Sequence, residues 1–228
     1  MPVRFARTIR AAAVLAALGA LLAPTSAYAV EAAAAPGDRT VLPVRDALAA
    51  LPLQDESRAG YERTKFRHWI DADRDGCNTR AEVLKAEAVE APQQGPGCVL
   101  SGGRWYSPYD DTYFTEARAL DIDHLVPLAE SWDSGAAAWT PAERQSYAND
   151  LGDERALIAV SAKSNRSKSD QDPGTWQPPA AGYRCQYATD WVTVKTRWGL
   201  SIDRTEQAAL DKTLSQCPNV PVEVTLAR

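Results

Sequence analysis

Two short apolar runs, separated by a helical excursion and followed by a capped helix, constrain this chain more than any other feature. The first is Asp121-Ile-Asp-His-Leu-Val-Pro-Leu128. It reads as a strand that Pro127 prevents from continuing, because proline cannot donate to a sheet ladder. The second, Leu157-Ile-Ala-Val160, reads as a buried strand. Between them, residues 128–132 look like a helix start. Thr140-Pro-Ala-Glu143 opens a second helix, with an N-cap, proline at the first helical position and a capping-box glutamate, and this helix should end near Asn149 and Asp150. Ser161 then caps a helix that carries Asn165 and Lys168 three positions apart, hence on one face. Strand, excursion, strand, helix is a ββα order, and the expected class is α+β.

The residue types on these elements suit hydrolysis of a phosphodiester with one bound metal ion. Asp123 directly precedes His124, one of two histidines in the chain. A carboxylate can hold a divalent cation while a neutral imidazole takes the proton of an attacking water. Successive strand side chains point to opposite faces, so both reach one site only at a bulge or a strand end. Asp121 shares a face with Asp123 and is the spare ligand candidate. On the later helix Asn165 offers an amide ligand, and Lys163, Arg166 and Lys168 bring positive charge for phosphate. With a reference imidazole pKa of about 6.5, activity should fall below about that pH. The plain alternative for the Asp-His pair alone is a surface pair or a structural histidine.

Arg4, Arg7 and Arg10 precede an apolar run over 11–23 and the cleavage pattern Ala27-Tyr-Ala29. Residues 1–29 therefore read as a secretory signal peptide, and the mature chain as secreted and extracellular, with no membrane span. Cleavage removes three arginines and no acidic residue, moving the formal charge from −5 to −8. That balance argues against a broad, salt-driven polyanion binder but leaves room for a locally basic cleft. Four cysteines in an oxidising compartment point to two disulfides, and the sequence-local pairing Cys77–Cys98 with Cys185–Cys217 closes two modest loops. No two cysteines have the close spacing of a zinc knuckle.

Residues 30–52 read as an alanine-rich tether followed by a short helix over 44–51, residues 53–217 as the folded domain, and residues 218–228 as an extended tail. Tyr61 to Ile70 has helical spacing and holds His68, read as a helix-surface or partly buried histidine. Asp71, Asp73, Asp75, Gly76 and Glu82 fall at positions one, three, five, six and twelve of a calcium-binding EF-hand loop, with helices expected on both sides. Position eight is Asn78 rather than an apolar residue, and no second hand follows. The plain reading of 71–82 is a tight acidic turn with Thr79 capping a helix over 81–90. Arg104-Trp-Tyr-Ser-Pro-Tyr109 reads as a short strand whose aromatics pack before they stack on bases. Trp191 and Trp198 lie on one side of a helix over 186–198 and read as core, and Asp203-Arg-Thr-Glu206 opens the last helix.

Asp-His-Leu-Val-Pro-Leu, then Ala-Asn-Asp-Leu, then Leu-Ile-Ala-Val-Ser-Ala-x-x-Asn-Arg-Ser-Lys-Ser-Asp-x-Asp-Pro with Trp176 following, resemble the HNH endonuclease family. The closest likeness is to its secreted actinobacterial branch, similar to the nuclease domain of some modification-dependent restriction enzymes, and it covers about residues 60–215. The resemblance implies a ββα-metal (HNH) core and a one-metal phosphodiesterase. It implies His124 as general base, Asp123 and Asn165 as metal ligands, and Lys168 steadying phosphate charge. An amide oxygen suits Mg2+ or Mn2+ better than zinc. The middle asparagine of the motif is missing just before the second strand. Asn149 is the nearest candidate to orient His124, with Glu154 and Asp153 as rivals.

The expected function is a secreted, metal-dependent endonuclease acting on nucleic acid, DNA before RNA, with one catalytic Mg2+ or Mn2+, a possible structural Ca2+ at Asp71, Asp73, Asp75 and Glu82, and no protein partner. The competing class is a secreted calcium-binding module whose nuclease motif is degenerate. A zinc hydrolase lacks ligands.

Overall fold

The computed structural model describes residues 1–2 and 35–228, so the expected signal peptide from residue 3 onward and the first residues of the tether lie outside the described residues. In chain order come β1 (Arg39–Pro43), α1 (Val44–Ala50), α2 (Thr79–Ala86), β2 (Ala88–Glu90), β3 (Gln93–Gln94), β4 (Leu100–Ser101), β5 (Arg104–Ser107) and β6 (Thr112–Phe114). β7 (Leu120–His124), α3 (Leu128–Asp133), α4 (Pro141–Ala148), β8 (Leu157–Ser161) and α5 (Ala162–Lys168) follow. α6 (Arg184–Trp198), α7 (Arg204–Leu214) and β9 (Pro221–Thr225) complete the chain.

β7 and β8 pair antiparallel in unbroken register from Leu120 opposite Ser161 to His124 opposite Leu157. α5 leaves β8 through a sharp turn in which the Ser161 hydroxyl accepts from the Ser164 N–H at 3.1 Å. α4 opens with the full capping box between Thr140 and Glu143, as its sequence implies. The face of the hairpin carrying Leu120, Ile122, Leu157 and Ala159 packs on Val83 and Leu84 of α2 and on Trp105 of β5, forming a small apolar body. A larger one gathers α1, α3, α4, α6 and β9 around an aromatic cluster that includes Tyr109, Tyr147, Trp191 and Trp198. Each large side chain buried there contributes roughly 1.5–3 kcal/mol. Disulfides Cys77–Cys98 and Cys185–Cys217 tie α2 to the β3–β4 connection and the start of α6 to the end of α7.

α6 also carries a charge through this apolar body. Lys195 is fully buried, and its ammonium reaches Glu130 at 2.9 Å and Glu206 at 2.6 Å. Burial, and then the charge of Glu130, push the nearby Glu56 carboxyl up to about 8.

Three expectations change. The tether and the tail are not loose where described: Arg39 to Pro43 pairs antiparallel with Thr225 to Pro221, so residues 39–43 and 221–225 belong to the domain. Val222 and Val224 alternate into the core while Pro221, Glu223 and Thr225 stay exposed, a period-two signal. Residues 61–70 form only one 3-10 turn, Arg63–Lys65; Phe66 then drops into the core, and Trp69 adopts φ 59, which ends any helix. The cap of α2 is Asn78 rather than Thr79, accepting from the Ala81 N–H, and the helix stops at Ala86 where β2 begins.

Candidate active site

A cleft of about 460 Å³ opens at the end of the β7–β8 hairpin, lined by Asp123, His124, Asn165, Arg166, Arg63 and Tyr61 among others. The strand needs no bulge to bring Asp123 and His124 to it. His124 is the last residue of β7, and the two side chains flank the strand end from opposite faces.

α5 lies against the odd-numbered face of β7. Three residues of helix and two of strand advance by about 4.5 and 6.8 Å, close enough for two successive contacts to match. The Asn165 amide accordingly approaches Asp121 at 3.4 Å, and Lys168 reaches Asp123 at 2.8 Å. Asp123 also accepts from the Tyr109 hydroxyl at 2.6 Å. Its Oδ2 thus takes Tyr109 and Lys168, whereas Oδ1 takes only the longer Lys168 contact at 3.0 Å and keeps a lone pair. Burial raises the Asp123 pKa, opposed by Lys168 and Tyr109.

His124 is held by α4. Its Nε2–H donates to the Ala148 carbonyl at 3.0 Å, one of the last carbonyls of the helix and free of an intrahelical partner. This leaves the Nδ1 lone pair of a neutral ring. Trp69 packs on the imidazole with ring centroids 5.4 Å apart, and His68 stands 6.3 Å away. Burial first, then the charges of Arg63, His68 and Lys168, lower the His124 pKa to about 3. The expected loss of the neutral base near pH 6.5 therefore does not carry over to this buried ring.

Several sequence assignments move. Asn149 does not touch His124: its Oδ1 accepts from the Ile70 N–H at 3.1 Å and the Thr79 hydroxyl at 2.8 Å, while its Nδ2 donates to the Arg67 and Gln145 carbonyls. It ties the 67–79 segment to the end of α4, and the preceding carbonyl orients the histidine. Of the rivals, Asp153 is paired with Arg155, and Glu154 is exposed. Lys168 is fully buried and donates to Asp123 and the His124 carbonyl, so it braces the site rather than meeting phosphate. Lys163 is exposed away from the cleft lining, whereas Arg166 lines it and pairs with Asp121 at 3.2 Å. Tyr109, Trp69, His68 and Arg63 went unrecognised because no local motif links them to His124. The one available signal was the crowding of aromatics around Tyr109.

The acidic loop converges in part. Carboxylate oxygens of Asp71, Asp73 and Asp75 lie within 4.8 Å of one another, and Gly76, at φ 94, donates to Asp71. Glu82 comes within the same distance of Asp75 and of the disulfide-bonded Cys77, but does not complete the Asp71–Asp73–Asp75 group. Lys85 sits 3.2 Å from Glu82 and 3.9 Å from Asp75, supplying positive charge, and no α-helix enters the loop.

Fold and cleft define a mixed α/β domain, stapled by two disulfides, with a carboxylate and an imidazole at the end of an antiparallel pair. Residues 81–213 match the family described as GmrSD restriction endonucleases, C-terminal domain, and this chain belongs to that family. A protein of Arthroderma benhamiae described as an uncharacterized secreted protein is 44% identical over 158 residues, 69% of this chain and 76% of its own length. No solved structure matches significantly. No helix among the described residues is long and apolar enough to cross a membrane.

Proposed function

We propose that this chain is a secreted HNH-type endonuclease with a ββα-metal core, hydrolysing phosphodiester bonds of nucleic acid, DNA in particular, with one Mg2+ or Mn2+. The observation that carries the reading is the pinned His124: a buried, neutral imidazole whose Nε2–H is fixed on Ala148, beside the carboxylate of Asp123 in one cleft. Secretion is supported by the leader pattern, the disulfides and the name of the fungal relative.

In this reading Nδ1 of His124 takes the proton of the attacking water, and the Ala148 carbonyl steadies the imidazolium that forms. Asp123 Oδ1 and the amide oxygen of Asn165 fit a hard cation, since all the donors are oxygen and Oδ1 retains a lone pair. Bound there, the cation supplies charge stabilisation to the phosphate and the leaving oxygen. Arg63 and Arg166 receive the phosphodiester backbone, and Lys168 with Tyr109 holds Asp123 in place.

The test is plasmid nicking by the mature protein with Mg2+ or Mn2+, against excess EDTA and against His124→Ala. Cleavage should require the metal and fall roughly 10²–10⁴-fold in His124→Ala. Equal cleavage by that variant would defeat the proposal. The calcium-module alternative draws on the convergence of Asp71, Asp73 and Asp75. It requires function to be lost in Asp73→Ala and kept in His124→Ala.

A further inference from the structure

A second group of carboxylates lies outside the cleft, where the 52–60 segment meets α3 and the start of α7. We propose that Glu56, Glu130 and Asp133 form a binding site for a hard divalent cation of the calcium class, distinct from the catalytic ion and independent of the nuclease reading.

One carboxylate oxygen from each of the three lies within 4.8 Å of the other two. Oxygens sharing a calcium at about 2.3–2.6 Å need that mutual spacing. Two oxygens of these carboxylates, Glu56 Oε1 and Asp133 Oδ1, are sealed from solvent without a hydrogen-bond partner. The Asp133 side chain is only 5% exposed, and its other oxygen is taken by Arg58 at 2.6 Å. Glu130 is 2% exposed, and its Oε1 receives both Lys195 and Ser134.

The charges do not balance. Asp203 and Glu206 also crowd Glu56, so five carboxylates face Lys195 and Arg58. Neither cation can do more. The Lys195 ammonium already serves Glu130, Glu206, Ser134 and the Ser201 carbonyl. Arg58 divides itself between Asp133 and Asp170. A proton shared between Glu56 and Glu130 would satisfy one orphan oxygen and leave Asp133 Oδ1 unpartnered. A cation bound by both carboxylates would satisfy the two together. With oxygen donors alone and no sulfur or imidazole, the set selects a calcium-like ion over zinc. Because Arg58 links Asp133 to Asp170, which lines the cleft, occupancy would also brace the cleft wall.

The test uses the EDTA-stripped mature protein, with CaCl2 as probe, read by thermal unfolding and by equilibrium dialysis of calcium. Wild type should retain calcium and gain about 5 °C or more at roughly 100 times Kd. Glu56→Gln should lose that gain while melting in EDTA no lower than wild type, because it removes an acid crowded by neighbouring carboxylates. Asp133→Asn should lose the gain too, and Asp73→Asn, in the separate acidic loop, should keep it. A gain that survives Glu56→Gln and Asp133→Asn, or that vanishes only in Asp73→Asn, overturns the site. So does a wild type that retains no calcium, which leaves the shared proton.

Discussion

Replacing Lys168 by Met separates two roles for the same lysine. In the structure its ammonium is fully buried, 2.8 and 3.0 Å from the Asp123 oxygens and 3.1 Å from the His124 carbonyl. The variant keeps most of the side-chain volume and leaves a buried carboxylate with only the Tyr109 hydroxyl as partner. Stranding one member of such a pair costs about 3–5 kcal/mol. For a chain of this size that is a fall in Tm of about 6–20 °C. Adding Asp123→Asn removes the stranded charge, so the double variant should recover part of the loss, with a coupling of about 1–3 kcal/mol. Urea and thermal unfolding in EDTA near neutral pH measure both quantities free of metal. Nicking assays well below the lowest Tm then measure activity. A Lys168→Met protein as stable as wild type, additive with Asp123→Asn and impaired only through a raised KM for nucleic acid, would refute the buried-brace argument and return the lysine to phosphate.

Two further outcomes follow from the same contacts. Glu87 accepts from the Ala159 N–H at 2.9 Å, and burial pushes its pKa from 4.5 to about 7. The folded state therefore binds more protons than the unfolded one between those values, and the stability contributed is full below 4.5 and lost as pH rises through about 7. Glu87→Gln, which keeps an acceptor for Ala159, should be more stable than wild type at about pH 8 by up to about 3 kcal/mol and gain little at about pH 5. Equal gains in urea melts at both pH values would rule this out. Asn149→Ala removes three bonds between the 67–79 segment and the end of α4, and a fourth to Gln145 within α4 itself. It should cost about 2–4 kcal/mol in unfolding experiments, yet lower the rate at reduced temperature less than about tenfold, far less than the loss proposed for His124→Ala. A loss matching His124→Ala would mean that the asparagine acts on the histidine directly.

The legible parts of this protein were those whose information is local. Thr140 with Glu143 and Ser161 with Ser164 fix their helix starts through bonds spanning three residues, and the sequence carries both. The apolar runs of β7 and β8, the spacing of Asn165 and Lys168, and the disulfide pairing are of the same kind. The faults lay where local and distant demands compete. The apolar spacing of residues 61–70 suits a helix, but Phe66 is needed in the core and Trp69 over His124, and the chain breaks to deliver both. The strand at Pro221–Thr225 carries its alternation openly, yet five residues near a terminus form a strand only because Arg39–Pro43 is there to pair with them.

The sequence alone carried the α+β order, a sequence-local cysteine pairing, and the placing of Asp123 and His124 on a strand and Asn165 on a capped helix, since propensity, capping and periodicity act within a few residues. Tertiary structure decided what each group is able to do. Burial and the Ala148 carbonyl set the charge and tautomer of His124. The depth of Lys168 makes it a brace, and the meeting of Glu56 with Glu130 and Asp133 brings together carboxylates far apart in the chain. Desolvation and Coulomb interactions depend on distance in space, and distance in space between remote residues exists only once the chain has folded.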